Sequence, residues 1–263
     1  MKNLGRVFLV GAGPGDPELL TLKAVRMLRG AEAIVYDRLV SKEVLELVPS
    51  AARMIPVGKA PKSHPVPQER INEILVELAR EGLSVVRLKG GDPSIFGRGC
   101  EEAQALNAAG IPVEIAPGIT AAQGAAASTG VPLTHRGVAS SVRYVTGHCR
   151  SDMPLDLDWS GMADPQTTLV VYMGAANIGE ISTRLIGQGM LASMPAMAIA
   201  NATTPREERF ISHLDEIANV ATEAEIEGPV LFIIGYVVSL YRTLPADVLA
   251  QYAVEPVLER VHV

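Results

Sequence analysis

Two stretches of this chain place charged side chains directly behind apolar runs that predict β-strands. In residues 85–102, VVRLKGGDPSIFGRGCEE, the apolar run ends in a Gly-Gly-Asp-Pro turn that is followed by Arg98, Glu101 and Glu102. Two adjacent glycines allow a backbone to approach a ligand closely, because neither carries a Cβ atom. Arg98 and Glu101 are three residues apart on a predicted helix, so they share a face. The pattern predicts a ligand site at the carboxyl edge of an open α/β sheet.

The second stretch pairs a carboxylate with an amine. Asp37 follows the apolar run 32–36, and Lys59 follows the apolar run 53–57. On one edge of the same sheet, these two groups are candidates for general acid–base chemistry. The simpler interpretation of Asp37 is a helix cap, although Ser41 is better placed to cap the next predicted helix.

A third stretch, VGAGPGDPELLT at residues 10–21, is similar to a dinucleotide-binding fingerprint but has different spacing. The third glycine of the GxGxxG pattern would fall at Asp16, and Pro14 and Pro17 offer no backbone N–H to a pyrophosphate. Asp37 lies about 20 residues further on, where a nicotinamide enzyme carries its ribose-binding acid. The glycine spacing nevertheless disfavours a nicotinamide-dependent oxidoreductase, and the charged candidates above disfavour a binding module without catalysis.

The order of apolar runs and helical patterns predicts an α/β fold. In the first half, strands are predicted at 6–11, 32–36, 53–57, 83–88 and 111–116, and helices at 17–29, 41–48, 67–80, 99–109 and 119–128. This alternation indicates a mostly parallel sheet covered by helices. A second series has strands at 141–147, 167–173, 195–201, 207–212 and 229–235, and helices at 176–187, 214–223 and 246–252. We expect two α/β domains, at 1–134 and 135–250, with linker-like residues at 128–140, a polar surface excursion at 151–166 and a tail at 251–263.

Composition limits the classes of partner. The 263 residues are 48% hydrophobic and 20% charged, which provides enough apolar material for a buried core. A net charge of −6 and an aromatic content of 4% disfavour a nucleic-acid partner. No apolar run reaches the roughly 20 residues of a membrane helix, so no membrane partner is expected. The two cysteines and five histidines lack metal-ligand spacing, so no metal is expected, and the cysteine usage suits a reducing cytoplasm.

Several motifs of the chain occur in the order typical of one family. They are GAGPGDPELLT, YDRLVS, VGK, RLKGGDPxxFGRGxEE, PGITAA, GVPLTHR, TGH and YMG. Through them nearly the whole chain resembles the S-adenosylmethionine-dependent uroporphyrinogen-III C-methyltransferases of the tetrapyrrole methylase group. The resemblance implies two α/β domains, usually in a homodimer, with S-adenosylmethionine in the cleft between the domains and S-adenosylhomocysteine as product.

The implied reaction methylates uroporphyrinogen III at C2 and C7, giving precorrin-2 for sirohaem, cobalamin or haem d1 synthesis. A later precorrin methyltransferase of cobalamin synthesis is the alternative; the YDRLVS and RLKGGDPxxFGRGxEE pair favours the uroporphyrinogen enzymes. The LKGGDP loop and the acidic net charge disfavour a ribosomal-RNA methylase of the same superfamily.

The resemblance also assigns roles to individual residues. It implies a cofactor pocket lined by Pro14, Gly90, Gly91, Asp92, Ile95, Thr120, Ala121, Met173 and Ala202. Asp37 and Lys59 match the family's proposed proton acceptor and donor. Arg98, Glu101 and Arg136 match residues implicated in substrate binding or deprotonation, and the base is assigned to either Asp37 or Arg98. Arginine suits a substrate with many carboxylates, because its fork binds them bidentately. The chain departs from the family at Cys100, where glycine is usual, and at Ser94, which replaces a common aromatic.

Overall fold

The computed structural model describes residues 4–58, 66–148 and 155–241 of the chain. These residues form two five-stranded sheets, one from each half of the chain. The α/β class predicted from the alternating apolar runs is therefore confirmed. Lys59, the predicted helix at 246–252 and the tail at 251–263 lie outside the described residues. Within the described ranges, no helix combines the length and the apolar character that crossing a bilayer requires.

The first sheet is built from five parallel strands close to the predicted positions. They are β1 (Arg6–Gly11), β2 (Ala33–Tyr36), β3 (Arg53–Pro56), β4 (Ser84–Lys89) and β5 (Val113–Ala116), and their order in the sheet is β3-β2-β4-β1-β5. Strands β1 and β4 are mostly apolar because helices cover both faces of the sheet. The chain leaves β1 towards one edge and β4 towards the other. A crevice therefore opens between the loops that follow these two central strands.

The helices of the first half follow the predicted order. They are α1 (Leu22–Arg29), α2 (Lys42–Leu45), α3 (Gln68–Arg80), α4 (Gly99–Ala108) and α5 (Ala121–Thr129). Helix α3 buries Ile71, Leu75 and Leu78, as its amphipathic pattern predicts. The continuous helix expected over 17–29 is wrong, because a short 3-10 turn precedes α1. The break falls at Thr21, whose extended backbone and side-chain oxygen, accepting from the Ala24 N–H at 3.1 Å, begin a new helix.

The second sheet is mixed. Its strands are β6 (Ser141–Thr146), β7 (Thr167–Tyr172), β8 (Pro195–Ala200), β9 (Glu208–His213) and β10 (Val230–Ile234), in the order β6-β7-β10-β8-β9. Only β6 and β7 pair in parallel, and the other three pairings are antiparallel. The α-helices in the described part of this half are α6 (Trp159–Met162), α7 (Ile178–Gly187) and α8 (Ile217–Glu223).

Residues 155–166, the described part of the expected surface excursion, lie at the surface and are fixed there by a few apolar side chains. Seven of these twelve residues are exposed, among them Asp156 and Asp164. Leu155 and Met162 are buried in the apolar core of the second half, and Trp159 packs against the same core. The segment is therefore a polar stretch on the surface whose spaced apolar side chains attach it to the second half.

Helix α5 connects the two halves through packing. It follows β5 of the first sheet, but Ala122 and Ala125 are fully buried in the apolar cluster of the second sheet. Their neighbours in that cluster include Val170, Ile199 and Ile233. The helix begins directly after the loop that leaves the first sheet, so its first residues lie where the two halves meet.

Candidate active site

A cavity of about 370 Å³ lies at the crevice between β1 and β4. Its first-half walls come from the loops after β1, β2 and β4 and from the starts of α3 and α5. Its second-half walls come from residues at or beside the ends of β7, β8 and β10. Open α/β sheets bind ligands outside the carboxyl ends of their strands, where the strand order reverses. The cavity has this location.

All nine residues that the family resemblance assigns to the cofactor line this one cavity. They are Pro14, Gly90, Gly91, Asp92, Ile95, Thr120, Ala121, Met173 and Ala202. These residues come from well-separated segments of both halves of the chain. The fold therefore gathers a set of positions that the sequence alone could only assign one at a time.

Two glycine loops are joined across the floor of the cavity. The Gly91 N–H donates to the Gly13 carbonyl at 2.7 Å, and the Gly13 N–H donates to the Gly91 carbonyl at 3.2 Å. Gly91 has a φ of +67°, which favours glycine. A Cβ on Gly91 would meet nothing nearer than the backbone nitrogen of Ala121, at 4.0 Å. The backbone of Gly91 therefore faces open space in the cavity.

Asp92 holds the cavity wall together. Its Oδ1 accepts a hydrogen bond from the Ser94 N–H at 2.7 Å, and its Oδ2 accepts one from the Gly118 N–H at 2.9 Å. Beside this contact, Thr120 caps α5 by accepting from the Gln123 N–H at 3.2 Å. These hydrogen bonds from backbone N–H groups to the Asp92 and Thr120 side chains fix the shape of the site within the protein itself.

The catalytic candidates are only partly brought together. Asp37 and Arg98 line the cavity, whereas Glu101 and Arg136 are not among its lining residues. Arg98 and Glu101 form the expected pair in bidentate form, with Nε–Oε1 at 2.9 Å and Nη2–Oε2 at 2.7 Å, and both side chains are about half exposed. Arg136 is exposed in the turn that follows α5. Lys59 lies outside the described residues.

A buried group of charged residues beside the cavity was not predicted. Arg87 and Glu102 are 1% and 0% exposed, and Lys89 is 3% exposed. Glu102 Oε1 accepts from Arg87 Nε at 3.0 Å, from Lys89 Nζ at 2.9 Å and from Gln68 Nε2 at 3.1 Å. Arg87 Nη2 lies 2.6 Å from Asp37 Oδ1, and Lys89 Nζ lies 3.8 Å from Asp37 Oδ2. We call Asp37, Arg87, Lys89 and Glu102 the buried charge cluster.

The sequence carries a signal for this cluster. Val85, Arg87 and Lys89 alternate along β4, so their side chains lie on one face of the sheet. Val85 belongs to the apolar core on that face, together with residues of α3 and α4 such as Leu75 and Leu106. Two cations on the core face of an apolar strand require buried anions nearby. Glu102, expected only to favour a helix N-terminus, meets that requirement.

The environment shifts two pKa values in opposite directions. Burial is the main reason that the pKa of Lys89 is lowered, and the neighbouring Arg87 lowers it further. Hydrogen bonds from Arg98 to Glu101 raise the pKa of the Arg98 guanidinium. Arg98 therefore keeps its proton and its positive charge at any pH at which the protein would work.

Three lining residues that are not glycine adopt left-handed backbone conformations. Phe96, Arg98 and Met173 have φ values of 51°, 57° and 53°. Such strain is concentrated at functional sites. The ring of Phe96 also contacts Tyr172 of the second half, with ring centroids 5.1 Å apart. The Tyr172 hydroxyl accepts from the Ala122 N–H at 3.1 Å, so this aromatic pair ties both halves together at the cavity.

Comparison with known proteins gives consistent matches. The family model for Tetrapyrrole (Corrin/Porphyrin) Methylases matches residues 6–218. A uroporphyrinogen-III C-methyltransferase of Paracoccus denitrificans is 57% identical over 237 residues, which cover 90% of this chain and 83% of that protein. A siroheme synthase of Hahella chejuensis is 50% identical over 240 residues, which cover 91% of this chain. The chain spans 51% of that synthase, or about half its length.

A solved structure shows the same architecture. The uroporphyrin-III C-methyl transferase of Thermus thermophilus, complexed with S-adenyl homocysteine, is 43% identical to this chain and superposes with a TM-score of 0.77. The match covers 90% of this chain and 100% of that one. The expected arrangement of two sheets therefore agrees with a solved structure of substantial sequence identity.

Proposed function

This chain belongs to the tetrapyrrole (corrin/porphyrin) methylases, and from that membership we propose that it is an S-adenosylmethionine-dependent C-methyltransferase acting on uroporphyrinogen III. The proposed product is precorrin-2, formed by methylation at C2 and C7. The relative at 57% identity is named for uroporphyrinogen III and the one at 43% identity for uroporphyrin III. Their similarity favours uroporphyrinogen III over a later precorrin, and the siroheme synthase relative favours sirohaem among the possible end products.

The observation that carries the proposal is the cavity of about 370 Å³ between the two halves. It is lined by the nine assigned cofactor residues together with Asp37 and Arg98. A methyl donor and an acceptor must be held close together and aligned, and alignment supplies much of the rate in such transfers. A cavity that presents the proposed cofactor residues and the proposed base on the same walls supports that arrangement.

The walls suit the proposed cofactor. When bound, S-adenosylmethionine supplies an electrophilic methyl group on a positively charged sulfur. Gly91 offers the close backbone approach, since its missing Cβ leaves that part of the cavity open. Ile95, Met173 and Leu231 supply apolar surface for the adenosyl group. Asp92 would shape the site through its two backbone contacts.

The geometry supports Asp37 over Arg98 as the base. After methylation a ring C–H bond must break, with its electron pair returning to the ring and its proton forming an O–H bond on the base. Arg98 holds its proton tightly beside Glu101 and is a poor acceptor. Asp37 lines the cavity, and Arg87 and Lys89 lie beside its two carboxylate oxygens and orient them. We therefore assign proton removal to Asp37.

The proposed role of Arg98 is to bind a substrate carboxylate. Its guanidinium is at the cavity, carries a fixed charge and is held in one orientation by two hydrogen bonds to Glu101. Glu101 then acts by orienting Arg98. Arg136 is proposed as a second carboxylate contact, reached by a side arm of a substrate larger than the cavity, because its turn is exposed. The role of Lys59 as proton donor stays a prediction.

The product of the reaction tests the function. Incubation with S-adenosylmethionine and uroporphyrinogen III, prepared under anaerobic conditions, should give a tetrapyrrole heavier by two methyl-for-hydrogen replacements. Mass spectrometry measures this product, and the spectrum of the isolated macrocycle distinguishes precorrin-2 from other dimethylated isomers. An absence of any methylated tetrapyrrole, with an active reference enzyme alongside, would overturn the assignment.

Replacing Arg98 by Lys should remove most of the activity at low substrate concentration. Lysine keeps the charge but loses the fork that binds a carboxylate at two points. We expect kcat/KM to fall at least about tenfold, as the loss of one charge-assisted hydrogen bond implies, with unchanged S-adenosylhomocysteine binding. Arg136→Lys tests the second contact in the same way. Arg184→Lys is the matched control, because Arg184 pairs with Glu180 on the exposed surface of α7. If Arg98→Lys had the kinetics of the parent, Arg98 would not bind a substrate carboxylate.

We also propose that the chain forms a homodimer and works in the cytoplasm, with a domain boundary near residue 134. Large apolar side chains such as Leu22 and Leu191 are exposed, and a second copy would cover such surface. Light scattering on the purified protein measures the oligomeric state, and cell fractionation measures the location.

A further inference from the structure

We propose that Arg87, Lys89 and Glu102 are positioning residues that hold the Asp37 carboxylate in place at the wall of the cavity. This inference rests on the proposed function, in which Asp37 removes the ring proton. Arg87 and Lys89 line the cavity, whereas Glu102 is not among its lining residues. Their contacts with one another and with Asp37 carry the argument.

The cluster connects the protein interior to the cavity. Glu102 is fully buried on α4 and binds both cations through its Oε1 atom. Arg87 and Lys89 then reach from β4 to the two oxygens of Asp37, at 2.6 and 3.8 Å. Asp37 is the only one of the four with substantial exposure, at 29% of its side chain. The shorter contact fixes Oδ1, so Oδ2 is the oxygen with the looser partner.

Stability alone does not account for this arrangement. Taking charged groups out of water is costly, and well-packed apolar residues often stabilise a core at least as well as a buried ion pair. Glu102 Oε2 has no hydrogen-bond partner within the described residues, although it is buried. A buried carboxylate with one unpartnered oxygen contributes little to the stability of a core. Its other oxygen, Oε1, holds the two cations that contact Asp37.

The charges that face Asp37 come from several elements. Arg87 and Lys89 lie on β4, and Glu102 reaches the cluster from α4. Further out on the cavity side, Arg98 interacts electrostatically with Glu101, Glu102 and Glu69. Within the cluster, two cations oppose two anions. The members are coupled, because Arg87 lowers the pKa of Lys89 whereas Glu102 and Asp37 raise it.

Each member of the cluster has an expected effect on kcat. Lys89→Met removes the cation that lies 3.8 Å from Asp37 Oδ2. We expect kcat to fall about tenfold, because a misplaced base reacts more slowly, while KM changes little. Glu102→Gln keeps the size of the side chain but weakens its hold on Arg87 and Lys89, so kcat should fall by less because Glu102 acts through them.

The same substitution in the Asp37→Asn background decides between positioning and damage. A residue that acts through Asp37 has little left to position once the base is gone, so Lys89→Met should lower kcat in the parent and barely change it in Asp37→Asn. Structural damage would lower kcat in both backgrounds. If Glu102→Gln failed to fold, the comparison of Lys89→Met in the two backgrounds would still test the inference.

Matched controls use surface residues with the same substitutions. Lys23→Met breaks an exposed pair with Glu114, and Glu73→Gln breaks an exposed pair with Arg70; both should keep the parent kcat. If the parent enzyme makes methylated product but Lys89→Met turns over at the parent rate, or loses the same factor in the Asp37→Asn background, the positioning role is wrong. If the parent makes no methylated product, the proposed function itself fails, and this inference fails with it.

Discussion

Replacing Asp37 by Asn should lower kcat by about 10²–10⁴-fold, the range typical of losing a general base. Asparagine keeps the size and hydrogen-bonding shape of the side chain, but it cannot accept the ring proton. Arg87 keeps an oxygen partner at the position that now lies 2.6 Å from its Nη2 atom. We therefore expect a folded protein that binds S-adenosylhomocysteine as the parent does. Turnover of uroporphyrinogen III at saturating substrate measures the loss.

A matched substitution separates catalysis from general damage. Asp215→Asn changes an exposed aspartate of the second half and should leave kcat unchanged. If Asp37→Asn turned over at the parent rate, the assignment of the base would be wrong. Arg98 would then again be the remaining candidate that the family resemblance offers.

Replacing Gly91 by Val should abolish cofactor binding. The new side chain would enter the open space that the missing Cβ leaves between Gly91 and Ala121. For the parent, S-adenosylhomocysteine at about 100 times its Kd should add about 2.7 kcal/mol of stability and raise Tm, whereas NAD should not. In Gly91→Val this rise in Tm should disappear. Thermal melting with and without each ligand measures the effect.

The control for this prediction must reproduce the backbone strain. Gly91 and Gly110 have φ values of +67° and +70°, so a branched side chain costs similar conformational energy at both positions. Gly110 follows α4, is exposed and has no neighbour within 4 Å of a built Cβ. Gly110→Val should therefore lower Tm yet keep the ligand-induced rise. Retained ligand binding in Gly91→Val would contradict the placement of the cofactor.

Local patterns predicted most of the fold because most of its elements are locally encoded. The apolar runs of the first half became the five parallel strands, and the amphipathic pattern at 67–80 became α3. The antiparallel pairings of the second sheet were not predicted. A strand's composition reports its burial, but the choice of neighbour depends on contacts between residues far apart in the chain. The helix break at Thr21 was missed because apolar periodicity continues across a cap.

The candidate site was also predicted only where short sequence motifs identify its residues. The cofactor positions were assigned from motifs, and the cavity brought them together. Arg87 and Glu102 escaped notice because each has an ordinary local explanation, as a strand residue and as an acidic residue in the first turn of a helix. Only the three-dimensional fold, in which α4 and β4 contribute to one apolar core, shows that the two charges meet at 3.0 Å. Pairings of this kind are invisible to motif spacing.

Helix α5 limits how this architecture can be divided and recombined. By chain order it belongs with the first sheet, but Ala122 and Ala125 are buried by the second. A fragment ending at residue 134 would carry these alanines without their cover, and the complementary fragment would expose Val170, Ile199 and Ile233. The two halves therefore cannot be separated or exchanged at residue 134 without exposing apolar core residues. A chimera between two such proteins should preserve packing better when α5 is inherited together with the second sheet, so that its crossover falls in the loop before Thr120.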